Sequence, residues 1–148
     1  MPETTARAAV TIRAPRDTVW TALTEPEQIR RYYLGGAEID TDWKVGSPIV
    51  FRGEWNGQTF EDKGKIVTFD PRHELAYSHY SPMTGKPDEP ENYNVVDITL
   101  DGDGDGTTVT LEQWKLAGEV TDEDRANREQ FEQNWQQMLQ GLRDTVES

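Results

Sequence analysis

The C-terminal stretch of this chain limits what it can fold into more than any other segment. Residues 122–146 contain no proline, and Phe131, Trp135, Met138, Leu139, Leu142 and Val146 follow one another at intervals of 4, 3, 1, 3 and 4. That spacing draws one continuous apolar face on a helix of about 25 residues, roughly 37 Å long. Thr121 with Asp124 three residues on resembles the cap that would start it. Packing against a sheet explains such a face better than a free amphipathic partner helix does.

The rest of the sequence supplies that sheet. Val10 and Ile12 alternate with polar neighbours, so residues 6–13 read as a strand. Pro15 suits the first turn of a short helix carrying Val19, Trp20 and Leu23 inward. Thr24 with Glu27 fits a capping box for a second helix over about 25–33, which leads to Tyr32 and Tyr33. From Ile39 to Leu116 the pattern is that of strands, at 48–55, 58–69, 73–80, 93–100 and 107–116, with Asn56-Gly57 marking a hairpin. The longest interruption, Ser81 to Asn92, holds three prolines and reads as an exposed loop and part of a cavity entrance. The expected fold is α+β: a curved antiparallel sheet wrapped around one long C-terminal helix, with two short helices after the first strand. Without repeats or linkers, residues 1–148 read as a single domain.

Composition tests this picture. Leu, Ile, Val and Phe make up only 28 of 148 residues, and the net charge is -13, a pairing that borders on disorder. Five Trp and five Tyr argue for a core, because each can bury roughly 150–250 Å². The acidic excess disfavours nucleic acid and anionic membranes. No apolar run is long enough to insert in a membrane, and no secretory signal opens the chain, so a cytoplasmic protein is expected. Without cysteine there is no disulfide, thiolate nucleophile or Cys-ligated metal. Most of the charge lies late: residues 81–148 carry 16 acids against 5 bases.

One motif matches a formula and fails on context. Asp101-Gly-Asp103-Gly-Asp105-Gly106 with Glu112 fits the EF-hand loop, yet its flanks alternate as strands. An extended 107–112 carries Glu112 roughly 20 Å from the turn, too far to close a cage. The run therefore reads as a hairpin turn, with a loose cation site as the alternative. No nucleophile elbow, phosphate loop, zinc motif or dinucleotide fingerprint is present, so no catalytic residue, metal or cofactor is expected.

Parity brings out two polar residues. His79 shares its strand face with Leu75 and Tyr77, and reads as a structural imidazole or a ligand contact. Asp62 shares a face with Phe60 and Ile66, so it either points inward, with Arg52 as a candidate partner, or is turned out by a β-bulge. His73 lies in a turn and reads as solvated. Met138 and Gly141 belong to the helix's inner side, one adaptable and the other making room.

The assembled segments IRAPRDTVWTALTEPEQIRRYY, DWKVGSPIVFRG, GKIVTFDPRHELAYS, GTTVTLEQW and NWQQMLQGL resemble the bacterial heat-shock-protein-90 ATPase activator-like family. That family belongs to the START-like helix-grip superfamily, with polyketide cyclases, Bet v allergens and lipid-transfer domains. The resemblance runs from Val10 to Leu142. It departs where Tyr32 or Tyr33 stands for a frequent Trp and Ser47 for a second Gly. The eukaryotic co-chaperone has an additional N-terminal domain that nothing before Val10 provides, so co-chaperone activity is not expected to carry over.

The resemblance implies a helix-grip cavity that binds a small apolar or aromatic molecule. Its candidate wall is Tyr33, Phe51, Trp55, Phe60, Tyr77, Trp114, Phe131, Trp135 and Met138, with Asp62 and His79 as polar anchors. The alternatives are a cyclase- or dehydratase-type enzyme on the same fold, or a stress-response or chaperone-linked interaction protein. A monomer or a homodimer is expected.

Overall fold

A computed structural model describes residues 3–33, 37–55, 57–82 and 85–147, apart from the side chains of Trp55 and Asp103. In chain order these form β1 (Thr4–Ile12), α1 (Arg16–Thr24), α2 (Pro26–Ile29), β2 (Glu38–Thr41), β3 (Pro48–Trp55), β4 (Gln58–Asp70), β5 (Glu74–His79), β6 (Asn94–Asp103), β7 (Gly106–Lys115), α3 (Asp122–Ala126) and α4 (Arg128–Glu147). The seven strands make one antiparallel sheet in the order β1-β7-β6-β5-β4-β3-β2. The sheet curves around α4, whose Met138, Leu139 and Leu142 are buried against Ile12, Ile49, Phe51, Ile98 and Leu111.

Local chemistry accounts for the elements and for their departures from expectation. The Thr121–Asp124 capping box forms, the Thr121 amide donating to Asp124 Oδ2 at 2.8 Å and the Asp124 amide to Thr121 Oγ1 at 3.1 Å. The expected single helix is two, because Asn127 interrupts it between α3 and α4. The second expected box does not form. Thr24 Oγ1 instead donates back to the Trp20 carbonyl at 2.9 Å, and Glu25 takes the N-cap place of α2. The cause is Pro26, which holds the residue before it extended (Glu25 φ −86°, ψ 118°) and so moves the helix start by one residue. α2 also ends at Ile29, short of the expected 33, and continues as turns up to Tyr33.

Two turns fix the register. Asn56 lies outside the described residues, but Trp55 pairs with Gln58 and Gly57 has φ +79°, as a two-residue hairpin requires. The Asp-Gly run closes the β6–β7 hairpin, with Asp103 opposite Gly106 and Gly104 at φ +67°. Glu112 stands opposite Asp97, well down β7 from the turn, so the run is a hairpin and not an EF-hand loop. Among the described residues no three His, Asp or Glu side chains come together as a metal site. A bulge does occur in β4, between Ile66 and Thr68, past Asp62.

The β1 edge is covered by side chains of α4. Arg128 Nη1 donates to the Thr4 carbonyl at 2.9 Å, and the Arg7 amide donates to Glu132 Oε2 at 2.9 Å. Gln136 Nε2 donates to the Ala9 carbonyl at 3.1 Å, and the Arg13 amide donates to Glu147 Oε2 at 3.0 Å. Residues 128, 132 and 136 are spaced by four and so lie on one side of the helix, where they meet the outward backbone groups of the strand.

Candidate functional site

Strands β3, β4 and β5 build the polar part of the interior. Phe51 pairs opposite Asp62, which turns both side chains to the same face. Next along β4 is Gly64, where an added Cβ would run into the Ser78 carbonyl. Only glycine lets β5 approach so closely there, and the Lys65 amide then donates to Ser78 Oγ at 2.9 Å. This approach sets His79 diagonally across from Asp62, and His79 Nε2 meets Asp62 Oδ2 at 2.9 Å. The two side chains are 22% and 7% exposed. The second carboxylate oxygen, Asp62 Oδ1, is buried without a hydrogen-bond partner.

Tyr33 and Tyr77 add a second polar pair. Tyr33 follows α2, held by its amide to the Ile29 carbonyl at 2.9 Å, and its hydroxyl bonds the Tyr77 hydroxyl at 2.5 Å. Burial pushes the Tyr33 phenol well above its ordinary range; Tyr77 adds to this, and the nearby Tyr32 and Asp62 charge contribute less. Burial also raises Tyr77, against the lowering effect of its bond to Tyr33. Both phenols stay protonated at neutral pH. One proton lies between the two oxygens, which leaves the other free to donate.

Phe51 joins the two pairs. Its ring lies 5.6 Å from Tyr33, 5.4 Å from Tyr77 and 5.3 Å from His79. With Tyr33, Tyr77 and Met138 it walls an apolar hollow of about 20 Å³, a volume that holds about one water. Tyr32 and Trp43, which sequence reasoning left out of the site, line it as well. Trp43 has left-handed backbone (φ +58°), a strained state for a bulky side chain.

The other sequence candidates lie elsewhere. Trp135 packs 6.5 Å from Tyr33, but its indole N–H is held by Gln113 Oε1 at 2.7 Å. Gln113 Nε2 in turn donates to Thr5 Oγ1 at 2.9 Å. Gln113 is 4% exposed and had a legible signal, since it shares strand parity with the buried Val109 and Leu111. Trp114 therefore has the opposite parity and turns to the other face of the sheet, away from the hollow. Phe60 is partly buried over Gly53, and Phe131 is half-exposed at the start of α4. The Trp55 side chain lies outside the described residues.

Arg52 is not the partner of Asp62. It stands opposite Glu61 on the outer face, bonding that carboxylate at 3.1 Å and lying 3.5 Å from Asp40. None of the described residues of Ser81–Asn92 lines the hollow. The described part of that loop is tied near β4 and β6 by Lys63 to Asp88, Tyr93 to Asp88 at 2.6 Å and the Tyr80–Tyr93 stack. His73 is exposed and meets Arg16 Nη1 at 2.9 Å.

A curved seven-stranded antiparallel sheet closed on one long C-terminal helix, with a small aromatic hollow between them, defines a START-like helix-grip protein. The model of the family described as Activator of Hsp90 ATPase homolog 1-like protein matches residues 13–147, and the chain belongs to that family. ChR145 from Cytophaga hutchinsonii, solved in solution, is 45% identical over 98% of this chain and 96% of its own, with a TM-score of 0.76. DynU16, from the dynemicin biosynthetic locus, is 19% identical over 97% of this chain and 47% of its own, with a TM-score of 0.75. The Aha1 dimer from Colwellia psychrerythraea is 19% identical over 96% of this chain and 95% of its own, with a TM-score of 0.67. The last two show shared fold alone. No curated protein matches the sequence.

Proposed function

We propose that this chain is a binding module that takes a small apolar or aromatic molecule into the grip between sheet and helix. The observation that carries the reading is the buried, unpaired Oδ1 of Asp62, the residue that stands opposite Phe51 in the sheet. An unmet acceptor in a core is costly, and an apolar residue of similar size would spare that cost. A ligand donor would satisfy it.

The hollow as it stands, at about 20 Å³, is far below the roughly 300–1,000 Å³ of ordinary ligand sites. Binding therefore requires the wall to open. Met138 has the flexible side chain suited to that, and Trp43 the strained backbone whose release would offset part of the cost. The placement of DynU16 in a biosynthetic locus fits a fold used around small organic molecules, but assigns this chain no substrate.

Thermal shift and native mass spectrometry against lipids, polyketides and small aromatics test the reading. The expected result is a stoichiometric complex whose formation perturbs Tyr33, Phe51 and Tyr77 in NMR spectra. A screen without complexes, together with side-chain exchange showing that the hollow never opens, overturns it.

A further inference from the structure

Asp62 Oδ1 also says what kind of ligand the grip would accept, provided the binding reading above holds. The atom is an anionic acceptor, buried and unpartnered, on a side chain 7% exposed. A charged donor bonds such an oxygen roughly twice as strongly as a neutral one. The nearby cations of the chain do not serve it. Arg52 is bonded to Glu61 and Lys63 is paired with Asp88. His79, the one basic group among the described residues that does reach the carboxylate, occupies Oδ2.

The surroundings favour the same charge. Phe51 lies within 5.6 Å of Tyr33, Tyr77 and His79, and the faces of such rings attract a cation. The Asp62 charge reaches into this ring cluster, since it helps to keep the Tyr33 phenol protonated. At long range, a net charge of -13 draws cations towards the protein and repels anions. An anionic ligand would meet an unpaired carboxylate. A ligand without a donor would leave that carboxylate unpaired, and a neutral donor would bond it more weakly than a charged one.

We propose that the grip selects an organic amine. Its ammonium N–H bonds Asp62 Oδ1, and its apolar body lies against Phe51, Tyr33 and Tyr77. Asp62 and His79 do not line the hollow; Phe51 lines it, stands opposite Asp62 and lies 5.3 Å from His79, so it is the side chain whose displacement would connect the carboxylate with the hollow.

Three probes of like size and different charge test this by NMR titration of the full chain at neutral pH. They are 2-phenylethylamine, 2-phenylethanol and phenylacetate. The expected result is that the amine binds at least ~10-fold more tightly than the alcohol, with resonances of β4 and β5 shifting and no phenylacetate binding. Asp62→Asn should abolish the preference for the amine over the alcohol. Equal binding of amine and alcohol, or amine binding indifferent to Asp62→Asn, overturns the amine assignment and leaves the binding reading standing. Silence from all three probes, with Asp62 Oδ1 bonded to a water in a high-resolution structure, overturns both. The wild-type probe series decides the matter even if the variant does not fold.

Discussion

His79 and Asp62 form a half-satisfied pair: His79 Nε2 lies 2.9 Å from Asp62 Oδ2, while Oδ1 of the same buried carboxylate has no partner. The pair stands on two strands that only a glycine allows so close together. Removing His79 leaves a buried carboxylate with neither oxygen bonded. His79→Ala should therefore destabilise the fold by about 3 kcal/mol in urea unfolding. Adding Asp62→Asn to that variant removes the orphaned charge and should recover at least about 1 kcal/mol. A double variant no more stable than His79→Ala would show that the carboxylate is not isolated in this way.

Asp97 gives the outer face a pH dependence. Burial, then a hydrogen bond with Glu74 and the charges of Glu74 and Glu112, lifts its carboxyl from 3.8 to about 7. The folded chain holds this proton more tightly than the unfolded chain does. The stabilising contribution is thus complete below about pH 4 and is lost as pH rises through about 7. Asp97→Asn should be more stable than the parent at pH 8, by about 1 kcal/mol after solvent screening of this partly exposed group, with the gap closing at pH 4. Melting temperatures of both proteins across that range check the sign.

The covered β1 edge predicts a change of association. Arg128→Ala, Glu132→Ala and Gln136→Ala together uncover backbone groups at Thr4, Arg7 and Ala9. Each lost bond should cost about 1 kcal/mol, and the bared strand becomes a template for pairing. Light scattering coupled to size-exclusion chromatography should show larger species than the parent forms at equal concentration. An unchanged elution profile would mean that the helix itself shields the edge.

Three glycines should rank in a set order on substitution by alanine. At Gly64 the new methyl meets the Ser78 backbone carbonyl, which cannot move without parting β4 from β5, so a cost of at least about 3 kcal/mol is expected. At Gly141 it would lie 2.9 Å from Tyr32 Cβ. Helix propensity returns about 1 kcal/mol there, leaving a net loss near 1 kcal/mol and a displaced wall of the hollow. At Gly102 the neighbour is the flexible Arg16 side chain, and the loss should be the smallest of the three. Chemical denaturation of the three variants tests the ranking.

Much of this architecture was legible in local patterns. The 4-3-1-3-4 spacing from Phe131 to Val146 specifies an apolar helix face, since periodicity is a property of the chain's own geometry. The Asn56-Gly57 and Asp-Gly signals specify turns for a similar reason: positive φ is a local demand. Strand alternation offered Asp62 and His79 an inward direction without deciding it, because a bulge before Asp62 would have turned it out to water.

What partners those side chains meet is a matter of which strands lie side by side, and that depends on distant residues. Arg52 and Asp62 looked compatible in sequence, yet the Phe51–Asp62 register places Arg52 beside Glu61 on the other face. Strand parity could have separated Trp114 from the interior, but not predicted that Gln113 would tether Trp135. Local chemistry thus determined the helix, the strands and the turns. The tertiary structure decided the His79–Asp62 contact, the unmet Oδ1 and the size of the hollow, because these depend on how elements far apart in the chain pack against one another.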